Sequence, residues 1–94
     1  MRNTVREEDI QEILQRSEMK VATVYDKCTL VTVKLPNGFV LTESSACVDP
    51  QNYNEELGVD SCLTKITDKL WELEGYRLQC ELAERAEGEV TENA

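Results

Sequence analysis

The residues in this chain best suited to chemistry sit in one short run. Thr42-Glu43-Ser44-Ser45-Ala46-Cys47 gathers three hydroxyls, a carboxylate and a thiol, with Asn52 and Tyr53 just downstream. The run lies between a strand-like and a helix-like segment, and the amides at a helix N-terminus point outward with partial positive charge. Thr42, Ser44, Ser45, Asn52 and Tyr53 could therefore hydrogen-bond a small anion or stack on a nucleotide base. The plainer account is that Ser44, Ser45 and Asp49 satisfy backbone groups where the strand turns into the helix. Catalysis is poorly served. The chain has no histidine, so neither a Ser-His nor a Cys-His arrangement can form and the commonest general base is missing. No GxxxxGK or GxGxxG phosphate cradle occurs. We expect no enzyme, no cofactor and no metal.

The four cysteines, Cys28, Cys47, Cys62 and Cys80, are widely spaced. Structural zinc draws its thiolates in close pairs, so this spacing argues against a zinc site. Free, mostly buried thiols behaving as small hydrophobes are the expectation.

A second candidate surface is acidic. The chain carries 10 Lys+Arg against 19 Asp+Glu, a net charge of −9. Residues 1–18 contribute −2, residues 19–52 nothing, residues 53–71 −2 and residues 72–94 −5. Phosphate backbones are bound by lysine and arginine, so direct nucleic-acid binding is not expected. Glu72, Glu74, Glu81 and Glu84 lie in the most acidic stretch, beside Trp71 and Tyr76. Trp and Tyr often anchor interfaces, and this set could meet a basic surface on another protein. The competing account is that the carboxylates solvate a helix and Trp71 fills the core.

These residues must be held by the elements around them. In 94 residues only one domain fits, and its core is thin. No stretch approaches a membrane span, and no secretory signal is visible. A first helix is expected from about Arg6 to Ser17, with Thr4 and Glu7 spaced as a capping box. Val21–Tyr25 and Cys28–Leu35 read as strands, rich in β-branched residues. Pro36-Asn37-Gly38 then closes a three-residue hairpin loop, with Gly38 in the left-handed position. That loop pairs Leu35 with Phe39, Val33 with Leu41 and Val31 with Glu43, setting apolar beside apolar at its first two rungs.

After Val40–Ala46, Asp49-Pro50 makes a turn, and Asn52 with Glu55 offers a helix cap. The main helix should begin between Pro50 and Asn54. Val59, Cys62, Leu63, Ile66, Leu70 and Leu73 follow helical spacing and mark its core stripe. Gly75 either ends this helix or lies inside a longer one reaching Ala86; the stripe of Tyr76, Leu78 and Leu82 favours the longer. Residues 87–94 are polar and expected to be disordered.

The strings Leu35-Pro-Asn-Gly-Phe39, Glu43-Ser-Ser-Ala-Cys-Val-Asp-Pro50, Asn52-Tyr53, Glu56-Leu57-Gly58 and Lys69-Leu-Trp-Glu-Leu-Glu-Gly-Tyr76 resemble a family of small phage proteins. It is named after early gene products of phages N4 and Sf6. The resemblance covers roughly residues 28–80. It implies a bacteriophage or prophage origin and a setting in the cytoplasm of the infected bacterial host. It carries no catalytic residue or cofactor.

The expected fold is α+β: a short N-terminal helix, a small antiparallel sheet of two or three strands, and a long C-terminal helix packed on one face. The expected function is a non-catalytic phage protein that binds and modulates a host protein with a basic surface, as a counter-defence or host-takeover factor. The alternative is a module that sequesters a small nucleotide signal. That alternative requires Lys27, Lys34 or Lys65 to gather at the site, because the chain as a whole is acidic. A homo-oligomer is also expected, since so thin a core leaves apolar surface to bury.

Overall fold

In the computed structural model the backbone is described for residues 3–93 and the side chains for residues 3–87. Helix α1 (Glu7–Gln15) leads into three strands, β1 (Glu18–Val24), β2 (Cys28–Lys34) and β3 (Val40–Ala46). A single 3₁₀ turn at Pro50–Asn52 then precedes helix α2 (Glu55–Asn93). The strands form an antiparallel sheet in the order β1-β2-β3. This is the expected α+β architecture. Glu87 continues α2, and the rest of segment 87–94, expected to be disordered, lies outside the described side chains.

The β2–β3 hairpin follows the expected register. Val33 faces Leu41 and Val31 faces Glu43. The Leu35 N–H donates to the Phe39 carbonyl at 2.8 Å, and Gly38 has φ +93°. Proline fixes the first turn residue, and only the last needs the left-handed region, which glycine adopts without strain.

Boundaries elsewhere shift for local reasons. Helix α1 starts at Glu7 because the Asp9 carboxylate accepts the Arg6 N–H at 2.9 Å. The cap therefore sits two residues later than the expected Thr4–Glu7 pair. Strand β1 begins at Glu18, three residues before the apolar run, because cross-strand pairing to Lys34 and Val33 extends it. Asn54 rather than Asn52 caps α2: its Oδ1 accepts the Leu57 N–H at 3.1 Å and its carbonyl the Gly58 N–H at 3.0 Å. Asp49 caps the 3₁₀ turn, accepting the Gln51 N–H at 2.9 Å. Gly75 lies inside a continuous α2, with open space where a Cβ would be.

Helix α2 lies across β2 and β3, and α1 packs beside it. Ile10, Val31, Val33, Leu35, Cys62, Ile66 and Leu70 form the core, with Val5, Ile13, Leu14, Leu41 and Val59 packed around them. Trp71 is not part of it. The ring stands 39% exposed, so the core is aliphatic. Of the thiols only Cys62 is buried; Cys28 and Cys47 are half-buried and Cys80 is exposed, all four free. The expectation of mostly buried thiols is therefore corrected. Leu78 is the last buried residue along α2 among those described, and the helix runs on past the sheet, giving the molecule a long axis of 66 Å.

Candidate functional site

At the head of α2 the inner face of the sheet ends in a row of hydroxyls. Thr23 pairs with Thr29, and Thr29 with Ser45, one residue from each strand. The alternation of β2 turns Thr29 inward with Val31 and Val33, where it is fully buried. A buried hydroxyl needs partners. Tyr53 supplies one: its hydroxyl lies 2.8 Å from both the Thr29 and the Thr23 Oγ1 atoms. The Asp49 and Asn54 caps turn the chain so that Tyr53 reaches back over the sheet. Glu55 adds a carboxylate 3.3 Å from the Thr23 hydroxyl.

Gly58 seals this end. A Cβ there would fall well inside contact distance of the Thr29 Oγ1 and Cβ atoms. The first turn of α2 can therefore sit directly on Thr29 only because residue 58 has no side chain.

Beside this bridge lies a cleft of about 180 Å³, lined by Ser45, Cys47, Asn52, Tyr53, Asn54 and Leu57, among others. It brings together three of the five residues expected for a polar pocket: Ser45, Asn52 and Tyr53. Thr42 and Ser44 are not among them, because strand alternation turns them to the opposite, outer face. The Ser45 hydroxyl and the Asn52 side-chain amide make no hydrogen bond to other described residues, so of the suggested backbone-satisfying side chains only Asp49 acts that way. The Ser44 main chain contributes differently, its carbonyl accepting the Lys65 ammonium at 2.7 Å. Lys27 donates to the Val48 carbonyl at 3.2 Å. Two of the three lysines considered for an anionic ligand are thus bonded to the carbonyls that flank the cleft wall 45–47, though neither lines the cleft itself.

The Cys47 thiol donates to the Asp49 carbonyl at 3.2 Å, and its amide to the Lys27 carbonyl at 2.9 Å. These bonds fix the loop rather than free a nucleophile. Cys62 lies under the same end of the sheet, donating weakly to the Thr29 carbonyl at 3.7 Å. Burial pushes its thiol pKa up, which leaves it protonated and unreactive.

The acidic residues of α2 do not assemble into one face. A helix turns about 100° per residue, so Glu72 and Glu74 point roughly 160° apart. Glu74 and Glu81 share a face with the arginines that hold them: Arg77 binds Glu74 at 3.2 Å and Glu81 at 3.1 Å, and Arg85 binds Glu81 at 2.9 Å. Both carboxylates raise the Arg77 pKa, Glu74 chiefly. This ladder borders a cleft of about 630 Å³ between α1 and α2. Glu72 lies on the other side with Tyr76, which is 72% exposed, and Glu84 is exposed further along. A side-chain hydrogen bond with Cys80, one turn on, raises the Tyr76 hydroxyl pKa.

Sequence reasoning missed Thr23, Thr29 and Gly58. The available signal was Thr29 in phase with Val31 and Val33, a hydroxyl at an inward position.

Among the described residues no group of His, Cys, Asp and Glu could hold a metal ion, and no helix is long and apolar enough to cross a membrane. No curated protein and no solved structure matches the chain. One family model does, over residues 1–82, and so takes in α1 and β1 as well as the segment from which the resemblance was read. The chain belongs to the phage protein (N4 Gp49/phage Sf6 gene 66) family.

Proposed function

We propose that this phage protein acts in the infected bacterium by binding rather than catalysis, as a counter-defence factor, and that its site is the cleft at the head of α2. The ligand class that fits is a small anionic molecule such as a nucleotide signal. One observation carries this reading. The Ser45 hydroxyl and Asn52 side-chain amide, unengaged by other described residues, line one cleft beside the capped start of a 39-residue helix, and Lys65 and Lys27 are bonded to the Ser44 and Val48 carbonyls that flank its 45–47 wall. A helix N-terminus and two ammonium groups offset locally the −9 charge that would otherwise repel an anion. The cleft's volume suits a phosphate or a base edge, smaller than the ~300 Å³ of a site that encloses a whole small molecule. The remainder of the ligand would lie over Leu57 and the lysines.

A host protein with a basic surface is the second reading, favoured by the exposure of Trp71 and Tyr76 beside Glu72 and Glu84. Titration calorimetry with a panel of linear and cyclic nucleotides separates the two. Binding that is lost in Asn52→Ala and Ser45→Ala, and weakened by Lys65→Gln, supports the cleft. No nucleotide binding, together with capture of a host protein that depends on Trp71 and Tyr76, overturns it in favour of the second reading.

A further inference from the structure

Helix α1, the β2–β3 turn and the middle of α2 converge around a groove of about 350 Å³. That volume falls within the roughly 300–1,000 Å³ of sites that hold a whole small molecule. The turn stands at the Val40 end of β3, opposite the Ala46 end where the head cleft lies. Leu35 and Leu70, both buried, form the floor, and Ile13, Phe39 and Leu73 form the walls. Phe39 is 52% exposed, so a large part of its ring meets water. Three charged side chains line the same groove, Arg16, Glu74 and Arg77, which makes it locally positive in a chain of net charge −9. Arg77 matches Glu74, its Nε donating at 3.2 Å while its Nη1 donates to Glu81 at 3.1 Å. Arg16 is held differently. Its ion pair with Glu12 spans 3.9 Å, too long for a hydrogen bond, with the two side chains 65% and 68% exposed. Such a pair contributes little and is readily exchanged. Asn37 adds a neutral donor: its Oδ1 accepts the Phe39 N–H at 3.0 Å, and its NH₂ group bonds no other described residue.

We propose that this groove binds a small amphipathic carboxylate, with its apolar body on Leu35, Phe39, Leu70 and Leu73 and its carboxylate on the Arg16 guanidinium. Charge complementarity selects the occupant. A guanidinium gives a carboxylate two parallel N–H···O bonds, and the Asn37 amide can donate a further one. A neutral apolar molecule would leave these donors unused, and a cation would meet a net positive lining. The overall negative charge of the chain opposes this only weakly, because salt screens exposed charges beyond about 8 Å at physiological ionic strength. The extent of the apolar surface favours a small molecule over a docked helix. Between α1 and α2 the groove continues into a space lined by Asp9, Glu12, Glu81 and Arg85, so an apolar helix face would soon run onto charge.

This groove shares no residue with the head cleft and does not depend on the ligand proposed there. Titration calorimetry of the full chain with octanoate, octanol and octylamine tests it, since the three share an alkyl chain and differ in charge. Octanoate is expected to bind about tenfold tighter than octanol, the margin of one charged hydrogen-bonded contact. Octylamine, protonated at neutral pH, should bind most weakly. Arg16→Gln should lower octanoate affinity to that of octanol and leave octanol unchanged, whereas Phe39→Ala should weaken both. Ser45→Ala and Asn52→Ala should bind octanoate as wild type does, which separates this groove from the head cleft. Circular dichroism checks that each variant is folded, and light scattering reports whether a second copy closes the groove. No octanoate binding at millimolar concentration, octanol or octylamine bound as tightly, or a folded Arg16→Gln variant that keeps the preference would each overturn the proposal. So would loss of octanoate binding in Asn52→Ala, or a dimer that Phe39→Ala dissociates.

Discussion

At the residue scale the molecule depends on a contact between a glycine and a threonine. Gly58 lets the first turn of α2 rest on Thr29, whose buried hydroxyl is paired with Tyr53. In an ordinary exposed helix Gly→Ala stabilises by about 1 kcal/mol. Here the added methyl would meet the Thr29 side chain, and overpacking of this kind costs about 1–3 kcal/mol. Gly58→Ala should therefore lower the midpoint of thermal unfolding by several degrees, whereas Gly75→Ala, with open space around it, should raise it. Equal shifts in the two variants would show that the close approach is absent. Tyr53→Phe removes the shared partner of Thr23 and Thr29 and should cost about 1–2 kcal/mol by urea titration. The thiols give a further check. Cys80 is exposed while Cys62 is buried with its pKa raised, so a thiol reagent at neutral pH should label Cys80 rapidly and Cys62 only on unfolding.

At the element scale the hairpins differ in how well their turns suit them. The β2–β3 turn carries glycine at its one positive-φ position, and Gly38→Val should cost about 1–3 kcal/mol because a β-branched residue resists that region. The β1–β2 turn holds Tyr25 at φ 54° and Asp26 at φ 55°, with no glycine to relieve either. Asp26→Gly should stabilise the fold by up to about 1 kcal/mol, read as a rise in unfolding midpoint of a few degrees. Charge on α2 is organised by the arginines. Reversing Glu74 and Glu81 together would leave Arg77 and Arg85 facing new lysines, and this pair should lower stability measurably. Reversing Glu72 and Glu84, both exposed, should leave it within about 0.5 kcal/mol. Denaturant midpoints of the two double variants distinguish a structural ladder from a solvated face.

At the scale of the whole molecule, stability is concentrated at one end. Core residues of α2 run from Cys62 to Leu70, with Leu78 the last buried position described. Amide exchange should therefore be slowest around Ile66 and accelerate past Leu82, since opening free energy follows buried contact. Uniform protection along α2 would mean that a second surface covers its far half. The cleft proposed for ligand lies at the well-packed end, where Tyr53, Thr29 and Gly58 hold it. Such placement favours a preformed site over one that folds on binding.

Sequence alone determined what local chemistry controls. Pro36-Asn37-Gly38 fixed the hairpin register, helical spacing from Val59 to Leu73 fixed the buried side of α2, and the absence of histidine set the limits on catalysis. Patterning also supplied the α+β class and the residues of the polar run. Tertiary structure decided which of those residues meet. Ser45, Asn52 and Tyr53 share a cleft while Thr42 and Ser44 do not, because side chains alternate across a strand and only one face is covered by α2. The four acids considered for a partner surface, Glu72, Glu74, Glu81 and Glu84, separate because a helix rotates between them, and Arg77 and Arg85 claim two. Thr29 becomes a buried hydroxyl only when Gly58, 29 residues later in the chain, settles onto it. Long-range contacts of that kind depend on how elements dock, which no local pattern encodes.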